Sequence, residues 1–149
     1  VDARAEELEA DLAPFITLNS APMAMTGHIV FTAWDDARCA TMSPTLIENI
    51  IRQRIGFDGL LFSDDLDMKA LDGNVAERAL RCVEAGCDIA LNCWARMDEM
   101  VAIADMLPEI SATSRARLDA AMATVAPQQS VEKFAALIDK RDALLSYAA

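Results

Sequence analysis

The sequence predicts an α/β fold with a parallel sheet, and three observations support that class. Short apolar stretches of strand length alternate with longer stretches that have an amphipathic helical period. The predicted strands are almost continuously apolar, as is usual where helices cover both faces of a sheet. Apolar residues make up 54% of the chain, which is enough to build a sizeable core.

Three segments of the chain are predicted to be strands. The first runs from Met23 to Phe31, the second covers residues 59–63, and the third covers residues 87–94. Each contains an apolar run that is short for a helix, and a glycine or proline stands shortly before each one. The order of these strands and the helices between them indicates parallel βαβ connections.

Helices are predicted from apolar periods and from the signals that begin and end them. Ser43 is a candidate N-cap with Pro44 at the first helical position, and Gly56 is a plausible stop for the helix between them. Pro14 predicts a break or kink in the first helix near residue 13, and Ser130 is the predicted N-cap of the last helix. The predicted helices cover residues 4–19, 43–55, 75–85, 96–106, 112–125 and 131–146.

Charge and hydropathy argue against two classes of partner. The net charge is −11 with 13 basic residues and no basic cluster, whereas nucleic-acid binding needs a basic surface. The apolar runs are far shorter than the roughly 20 residues that span a bilayer, and the acidic start does not resemble a signal peptide. We therefore predict a cytoplasmic protein that binds neither nucleic acid nor membrane.

Several apolar or weakly polar side chains are assigned to the core. The cysteines show no Cys-x-x-Cys spacing and lie in apolar segments, which is typical of small buried side chains in a reducing compartment. These cysteines are Cys39, Cys82, Cys87 and Cys93. Two apolar sets are also expected to pack inside, namely Leu46/Ile50 and Met97/Met100/Met106.

The most informative segment is Gly56–Met68, where the apolar stretch of the second strand ends in three acids. These acids are Asp64, Asp65 and Asp67. In parallel α/β folds, ligands and catalytic groups gather at the carboxyl ends of the strands. The acids are therefore candidates for catalysis as well as for solubility.

Four motifs in a fixed order carry a resemblance to a known family. They are Met23-Ala24-Met25-Thr26-Gly27-His28-Ile29-Val30-Phe31, Ala40-Thr41-Met42-Ser43-Pro44, the segment Gly56–Met68, and Glu84-Ala85-Gly86-Cys87-Asp88. Across residues 5–125 the chain resembles the family 3 glycoside hydrolases. Within that family it is most similar to the single-domain bacterial β-N-acetylhexosaminidases of the NagZ type.

The resemblance implies a TIM-type (β/α)8 barrel, of which this chain would hold the sixth, seventh and eighth strands. The expected fold is thus the C-terminal portion of such a barrel, about three βα units, with additional C-terminal helices. We predict one partial barrel domain over residues 1–149 without the N-terminal strands. Residues 127–149 would form a C-terminal helical extension.

The resemblance also implies the reaction. Family members of this type act in peptidoglycan recycling, releasing terminal N-acetylglucosamine from peptidoglycan-derived saccharides with net retention and without a cofactor. Asp64, directly after the serine that ends the second strand, matches the family's nucleophile. The family's lysine-histidine motif and its acid/base histidine loop have no counterpart here, since the only histidine is His28. The chain alone is therefore expected to be inactive.

The remaining polar residues near Asp64 have several possible roles. Two retaining carboxylates must face one substrate at about 5 to 5.5 Å, and consecutive strand residues point to opposite faces. Asp65 is therefore predicted to accept hydrogen bonds from loop amides or a cation, and Asp67 to cap the loop or the next helix. His28 either lines the substrate site, touching the sugar or orienting a neighbour, or is a hydrogen-bonded structural histidine. A lone histidine predicts no metal site.

Two other functions fit parts of the pattern. A phospho-accepting receiver domain also ends a strand in paired acids, but it needs a lysine after a later strand, where this chain has Asn92–Arg96. The stronger alternative is a catalytically inactive half-barrel remnant or interaction module that needs a partner chain to complete its fold. That partner would be the missing N-terminal half or another copy of the chain, because exposed strand edges tend to pair.

Overall fold

The computed structural model of the protein describes residues 1–125 and 131–146. It is a mixed α/β structure, rich in helix, with two strands among the described residues. A 3-10 turn at Ala40–Met42 and a π-helical segment at Leu46–Arg54 lie between those strands. The elements are α1 (Ala5–Thr17), β1 (Met23–Met25), β2 (Leu60–Phe62), α2 (Val75–Ala85), α3 (Met97–Met106), α4 (Ala112–Ala123) and α5 (Val131–Ser146).

The sheet is parallel, as predicted, but smaller than predicted. β1 ends at Met25 instead of reaching Phe31, because the chain leaves the sheet after the Thr26 N–H donates to the Phe62 carbonyl at 3.0 Å. Gly27 then begins a loop. The register of the pair is Met23 with Leu60, Ala24 with Leu61 and Met25 with Phe62.

The predicted third strand over residues 87–94 is reduced to a single parallel bridge between Phe62 and Ile89. The Ser63 N–H still donates to the Ile89 carbonyl at 2.9 Å. The next link in the ladder is made by a side chain, since the Ser63 hydroxyl accepts the Leu91 N–H at 2.8 Å. This substitution of a hydroxyl for a carbonyl ends the regular ladder, although the segment continues beside β2.

The helix predictions agree with the structure to within two residues at the ends of α2, α3, α4 and α5. The predicted cap before the π-helical segment is confirmed, because the Ser43 hydroxyl accepts the Leu46 N–H at 3.0 Å. Gly56 and Gly86 follow their helices with φ angles of 76° and 114°. Both angles are in the left-handed region that favours glycine at a helix end.

Two helical features differ from the prediction. The break expected at Pro14 is absent, and α1 continues to Thr17. A proline removes only one helical N–H donor, and the last turn is closed by the Leu18 N–H, which reaches the Pro14 carbonyl at 3.1 Å. The segment after Ser43 ends with π-type bonding, in which the Ile55 N–H donates to the carbonyl five residues earlier. The predicted N-cap at Ser130 lies outside the described residues.

The core lies between the sheet, α2 and the π-helical segment. Cys82 and Cys87 are buried there as predicted, whereas Cys39 is half-buried and Cys93 is exposed. Cys93 was assigned to the core wrongly, because the chain has already turned to the surface after its bridge to β2. The most deeply buried members of the core are Ile47, Leu60, Leu61, Leu66, Ala79 and Cys82.

The assignment of three methionines to the core is wrong. Met97, Met100 and Met106 are between 41% and 73% exposed. The face of α3 that packs against the core includes Ile103. Leu107, the residue directly after α3, also packs against the core. Period alone does not distinguish the two apolar faces of this helix.

One buried carboxylate joins the amino end of β2 to two helical elements. Asp88 Oδ2 accepts the Leu61 N–H at 2.9 Å and the Arg52 guanidinium at 2.8 Å. Asp88 Oδ1 accepts the Ser114 hydroxyl at 2.8 Å and the Arg117 guanidinium at 3.2 Å. The Asp88 side chain is only 2% exposed, so these four donors replace its water.

We expect Asp88→Asn to lower the free energy of unfolding by about 3–5 kcal/mol, because breaking a buried ion pair leaves its arginine partners uncompensated. The matched control is Asp58→Asn, which removes another carboxylate from Arg117. The Asp58 side chain is 90% exposed, so its loss should cost less than about 1 kcal/mol. Urea unfolding followed by circular dichroism measures both values. Equal losses would contradict the view that burial determines the strength of this network.

Candidate functional site

The candidate site lies at the carboxyl end of β2, where the chain turns toward α2. Ser63 is fully buried, and Asp64 and Asp65 after it are half-buried. Ser63 is fixed by its two bonds to the segment beside β2, one through its N–H and one through its hydroxyl. The sheet therefore sets the point from which Asp64 leaves the core.

Asp64 is the least constrained carboxylate of this turn. Its Oδ1 accepts the Asp65 N–H at 2.8 Å, and no other hydrogen bond to this carboxylate is formed within residues 1–125 and 131–146. One oxygen is thus oriented by the backbone, while the other accepts no hydrogen bond from the described residues. A carboxylate in this state can act as a nucleophile or a base.

Asp65 is held through its carboxylate, its N–H and its carbonyl. Its Oδ1 accepts the Asp67 N–H at 3.2 Å and the Cys93 N–H at 3.1 Å, which confirms the prediction that it binds loop amides. Its carbonyl is 2.9 Å from His28 Nε2. Burial raises the pKa of the Asp65 carboxyl, but the hydrogen bonds from the Asp67 and Cys93 amides and the Cys93 thiol, together with nearby His28, outweigh burial, so the pKa lies below its ordinary value.

Asp67 joins this turn to the loop before α3. Its Oδ1 forms an ion pair with Arg96 at 3.1 Å, and its Oδ2 accepts the Trp94 N–H at 3.4 Å. The carboxylate therefore bonds to the loop, one of the two roles predicted for it. Trp94 is 70% exposed, so its ring lies at the rim of the site. Burial and the Asp65 carboxylate raise the pKa of the neighbouring Cys93 thiol.

His28 lies beside the turn, in the loop after β1, and both of its ring nitrogens are bonded. Nδ1 is 2.8 Å from the Thr41 hydroxyl, and Nε2 is 2.9 Å from the Asp65 carbonyl. The Thr41 hydroxyl is also 2.9 Å from the Thr26 hydroxyl. The structure thus brings His28 next to the Asp64–Asp65 segment, as expected for residues at the same mouth. Contact between His28 and a sugar stays a prediction.

Sequence reasoning did not single out Arg78, which holds the turn from the side of α2. Its guanidinium donates to the Leu66 carbonyl at 2.6 Å and to the Leu71 carbonyl at 2.5 Å. A signal was available, because Arg78 is three residues after Val75 and four before Cys82, both buried residues of α2. An arginine on the buried stripe of a helix needs acceptors inside the fold.

The described part of the chain offers neither a metal site nor a membrane span. Among residues 1–125 and 131–146, no group of three or more His, Cys, Asp or Glu side chains is arranged to hold a metal ion. None of the described helices has the length and apolarity needed to cross a membrane.

Comparison with known sequences gives one family. The profile of the glycosyl hydrolase family 3 N-terminal domain matches residues 1–127. A β-hexosaminidase from Photobacterium profundum is 36% identical over 115 residues, which cover 74% of this chain and 34% of the relative. A β-hexosaminidase from Thiobacillus denitrificans is 40% identical over 115 residues, which cover 73% and 31% respectively. The chain spans about a third of the length of these relatives.

Comparison with solved structures gives the same result. NagZ from Neisseria gonorrhoeae, in complex with N-trifluoroacetyl-D-glucosamine, matches with a TM-score of 0.69 and 36% identity, covering 81% of this chain and 36% of that one. The β-N-acetylglucosaminidase from Thermotoga maritima matches with a TM-score of 0.70 and 27% identity. That match covers 86% of this chain and 32% of the Thermotoga chain.

The lowered pKa of Asp65 leads to a pH-dependent prediction. A carboxyl whose pKa is lower in the folded state stabilises the fold above its unfolded pKa, about 3.9, and loses that contribution as the pH falls through the folded value. We expect Asp65→Asn to be less stable than the wild type near neutral pH, with a deficit that shrinks below about pH 4.

Urea unfolding at several pH values measures this deficit. Asp36→Asn, which removes an exposed acid in the loop after β1, is the matched control and should show no deficit of this kind. A deficit for Asp65→Asn that is constant from neutral to acid pH would contradict the assignment.

Proposed function

We propose that this chain, which belongs to glycosyl hydrolase family 3, forms the nucleophile-bearing part of a β-N-acetylhexosaminidase. The family is shown by the profile match over residues 1–127, and the NagZ-type resemblance is confirmed by the relatives and solved structures. Those relatives are glycosidases. The proposed substrate is a peptidoglycan-derived saccharide that ends in N-acetylglucosamine.

The proposal rests on the position and the hydrogen bonding of Asp64. It follows a buried serine at the carboxyl end of β2, and its Oδ1 is oriented by one backbone N–H at 2.8 Å. Orientation of a reacting group before substrate binds contributes to catalysis. The Neisseria relative binds N-trifluoroacetyl-D-glucosamine, which supports an N-acylated glucosamine as the sugar that meets Asp64.

The proposed reaction has two displacements at the anomeric carbon. An Asp64 oxygen attacks that carbon, the glycosidic C–O bond breaks, and the leaving oxygen takes a proton from a general acid. Water then attacks the same carbon and gives a proton to the same group, now acting as a base, and Asp64 is released. Two inversions give net retention, and no cofactor takes part in either step.

The general acid/base is proposed to come from another part of the enzyme, as the resemblance implies. His28 is the sole histidine of the chain, and its ring nitrogens are bonded to Thr41 and Asp65. It is therefore poorly suited to exchange a proton with a substrate. We propose that His28 lines the site and orients Asp65, with any sugar contact made by the edge or face of its ring.

We further propose that residues 1–149 form a partial TIM-type barrel in a cytoplasmic enzyme, with residues 127–149 as a helical extension. Support comes from β1, which pairs with β2 on one side only within the described part of the chain. Met23 and Met25 of this strand are 41% and 55% exposed. A further part of the barrel, or another copy of the chain, would cover such an edge.

The role of Asp64 is tested in a hybrid enzyme. Residues 5–125 replace the matching portion of Neisseria NagZ, and turnover of 4-nitrophenyl N-acetyl-β-D-glucosaminide is measured. We expect an active hybrid in which Asp64→Asn lowers kcat by about 1,000-fold or more, because the covalent intermediate cannot form. Asp72→Asn, which removes an exposed acid from the same loop, is the control and should keep activity within about threefold.

Covalent labelling checks the chemistry directly. A fluorinated N-acetylglucosaminyl donor that slows the second displacement should add one glycosyl group to the hybrid. Peptide mapping should place that group on Asp64, and Asp64→Asn should remain unlabelled. Labelling of Asp65 or Asp67 would contradict the assignment of the nucleophile.

The 149-residue chain alone is expected to show negligible turnover of the same substrate. Native and denaturing mass measurements separate the two proposed functions for this sample. A single chain of 16.2 kDa that shows no turnover would support the proposal that this chain is one part of the enzyme and requires the rest of the barrel. A stable assembly of identical chains without turnover in any hybrid would favour the interaction module. Substantial turnover that disappears in Asp64→Asn would contradict the need for a further part.

A further inference from the structure

The motif Ala40-Thr41-Met42-Ser43-Pro44 has no part in the reaction described so far. Its threonine is fully buried, with no exposed surface. A buried hydroxyl must form hydrogen bonds, because burying it without a partner costs free energy. Thr41 meets this requirement with Thr26 on one side and His28 on the other.

The direction of each hydrogen bond in the series Thr26–Thr41–His28–Asp65 follows from the Asp65 carbonyl at its end. The Asp65 carbonyl can only accept, so the 2.9 Å contact requires a proton on His28 Nε2. In the neutral ring Nδ1 then accepts, which requires the Thr41 hydroxyl to donate across 2.8 Å. Thr41 has no second proton, so it accepts from the Thr26 hydroxyl across 2.9 Å.

Protonation of the His28 ring would reverse the two hydrogen bonds of the Thr41 hydroxyl and leave the bond to Asp65 unchanged. Nδ1 would then donate to the Thr41 hydroxyl, and that hydroxyl would turn toward Thr26. The bond from Nε2 to the Asp65 carbonyl is the same in both charge states. The Thr26–Thr41–His28 chain therefore holds Asp65 whichever form the ring takes.

Asp65 transmits this restraint to Asp64. While its carbonyl accepts from His28, its N–H donates to Asp64 Oδ1 at 2.8 Å. Its carboxylate holds two further amides of the surrounding loops. A shift of the Asp65 backbone therefore moves the donor that orients the Asp64 carboxylate.

Thr41 lies in the 3-10 turn Ala40–Met42, and Ser43 directly after this turn is held by two hydrogen bonds. The Ser43 hydroxyl donates to Asp35 Oδ2 at 2.6 Å and accepts the Leu46 N–H at 3.0 Å. The hydrogen bond from Ser43 holds the pKa of the Asp35 carboxyl below its ordinary value. An ionised, hydrogen-bonded acid thus fixes the short turn that carries Thr41.

We propose that Thr41 is a positioning residue for Asp64, acting through His28 and the Asp65 backbone. The catalytic meaning of this inference rests on the proposed function, whereas the hydrogen-bond order rests on geometry alone. Thr41 touches neither substrate nor nucleophile. The Asp65 carbonyl fixes the proton on Nε2, and the Thr41 hydroxyl holds the ring at Nδ1 so that this N–H keeps Asp65, and with it the N–H that orients Asp64, in place.

The first test reads the tautomer in the full chain. Because the chain has one histidine, a long-range 1H–15N spectrum of the imidazole needs no assignment. In alkaline buffer we expect the proton on Nε2 and an unprotonated, hydrogen-bonded Nδ1. Thr41→Val should move the Nδ1 signal toward that of a free ring nitrogen, and Thr41→Ser should restore it. A proton on Nδ1 in the wild type would overturn the proposal.

The second test reads the consequence at Asp64 without requiring activity. Amide hydrogen exchange of Asp65 reports its bond to the Asp64 carboxylate. We expect Thr41→Val to raise this rate about tenfold, the factor that an ordinary hydrogen bond contributes. The control is Thr17→Val, which also removes a threonine hydroxyl, in this case one that donates to the Ala13 carbonyl of α1 at 2.9 Å. Equal exchange at Asp65 in the two variants would overturn the proposal.

The third test uses the hybrid enzyme and separates this inference from the proposed function. Thr41→Val should slow glycosyl labelling of Asp64 about 10- to 100-fold with little change in KM, because mispositioning affects the chemical step. Thr41→Ser should recover most of the rate. If wild-type labelling occurs elsewhere, the proposed function fails while the tautomer and exchange results still decide the role of Thr41. Labelling of Asp64 that is insensitive to Thr41→Val would overturn the positioning role alone.

Discussion

The Asp88 carboxylate is the interaction that fixes β2, α4 and the π-helical segment relative to one another. It receives a backbone N–H of β2, a hydroxyl of α4 and one arginine each from α4 and the π-helical segment. Arg52 extends the network by donating to the Phe57 and Gly59 carbonyls at 3.1 and 2.8 Å. A buried charge with this many donors specifies one arrangement, because any other would leave an ion unpaired in the core.

The two ends of β2 have different physical characters. At the amino end, the Asp88 carboxylate is buried and is paired with donors from three elements. At the carboxyl end, Asp64 keeps one oxygen oriented and the other available, while Asp65 takes the surrounding loop amides. Three residues of strand separate these ends. The buried ion-pair network and the candidate site thus lie toward opposite ends of one short strand, and complete β/α barrels separate stability from catalysis in the same way.

The features that sequence predicted well are those determined locally. The bounds of α2 follow from the Asn74 cap and the Gly86 stop, both of which are short-range signals. The acids of the site were also predictable, because they directly follow an apolar strand. The exposure of Met97 and the loss of the third strand depend on what packs nearby, and period does not report that. The partners of His28 lie 13 and 37 residues away in the chain, so their hydrogen bonds were beyond local inference.

The parallel pairing of β1 with β2 has a consequence for the synthesis of this protein. Met23 pairs with Leu60, 37 residues later, so β1 leaves the ribosome well before its partner exists. Closing so long a segment is slow compared with forming a helix. During that interval the apolar Met23–Met25 stretch lacks its β2 partner, and unpaired apolar strands favour aggregation.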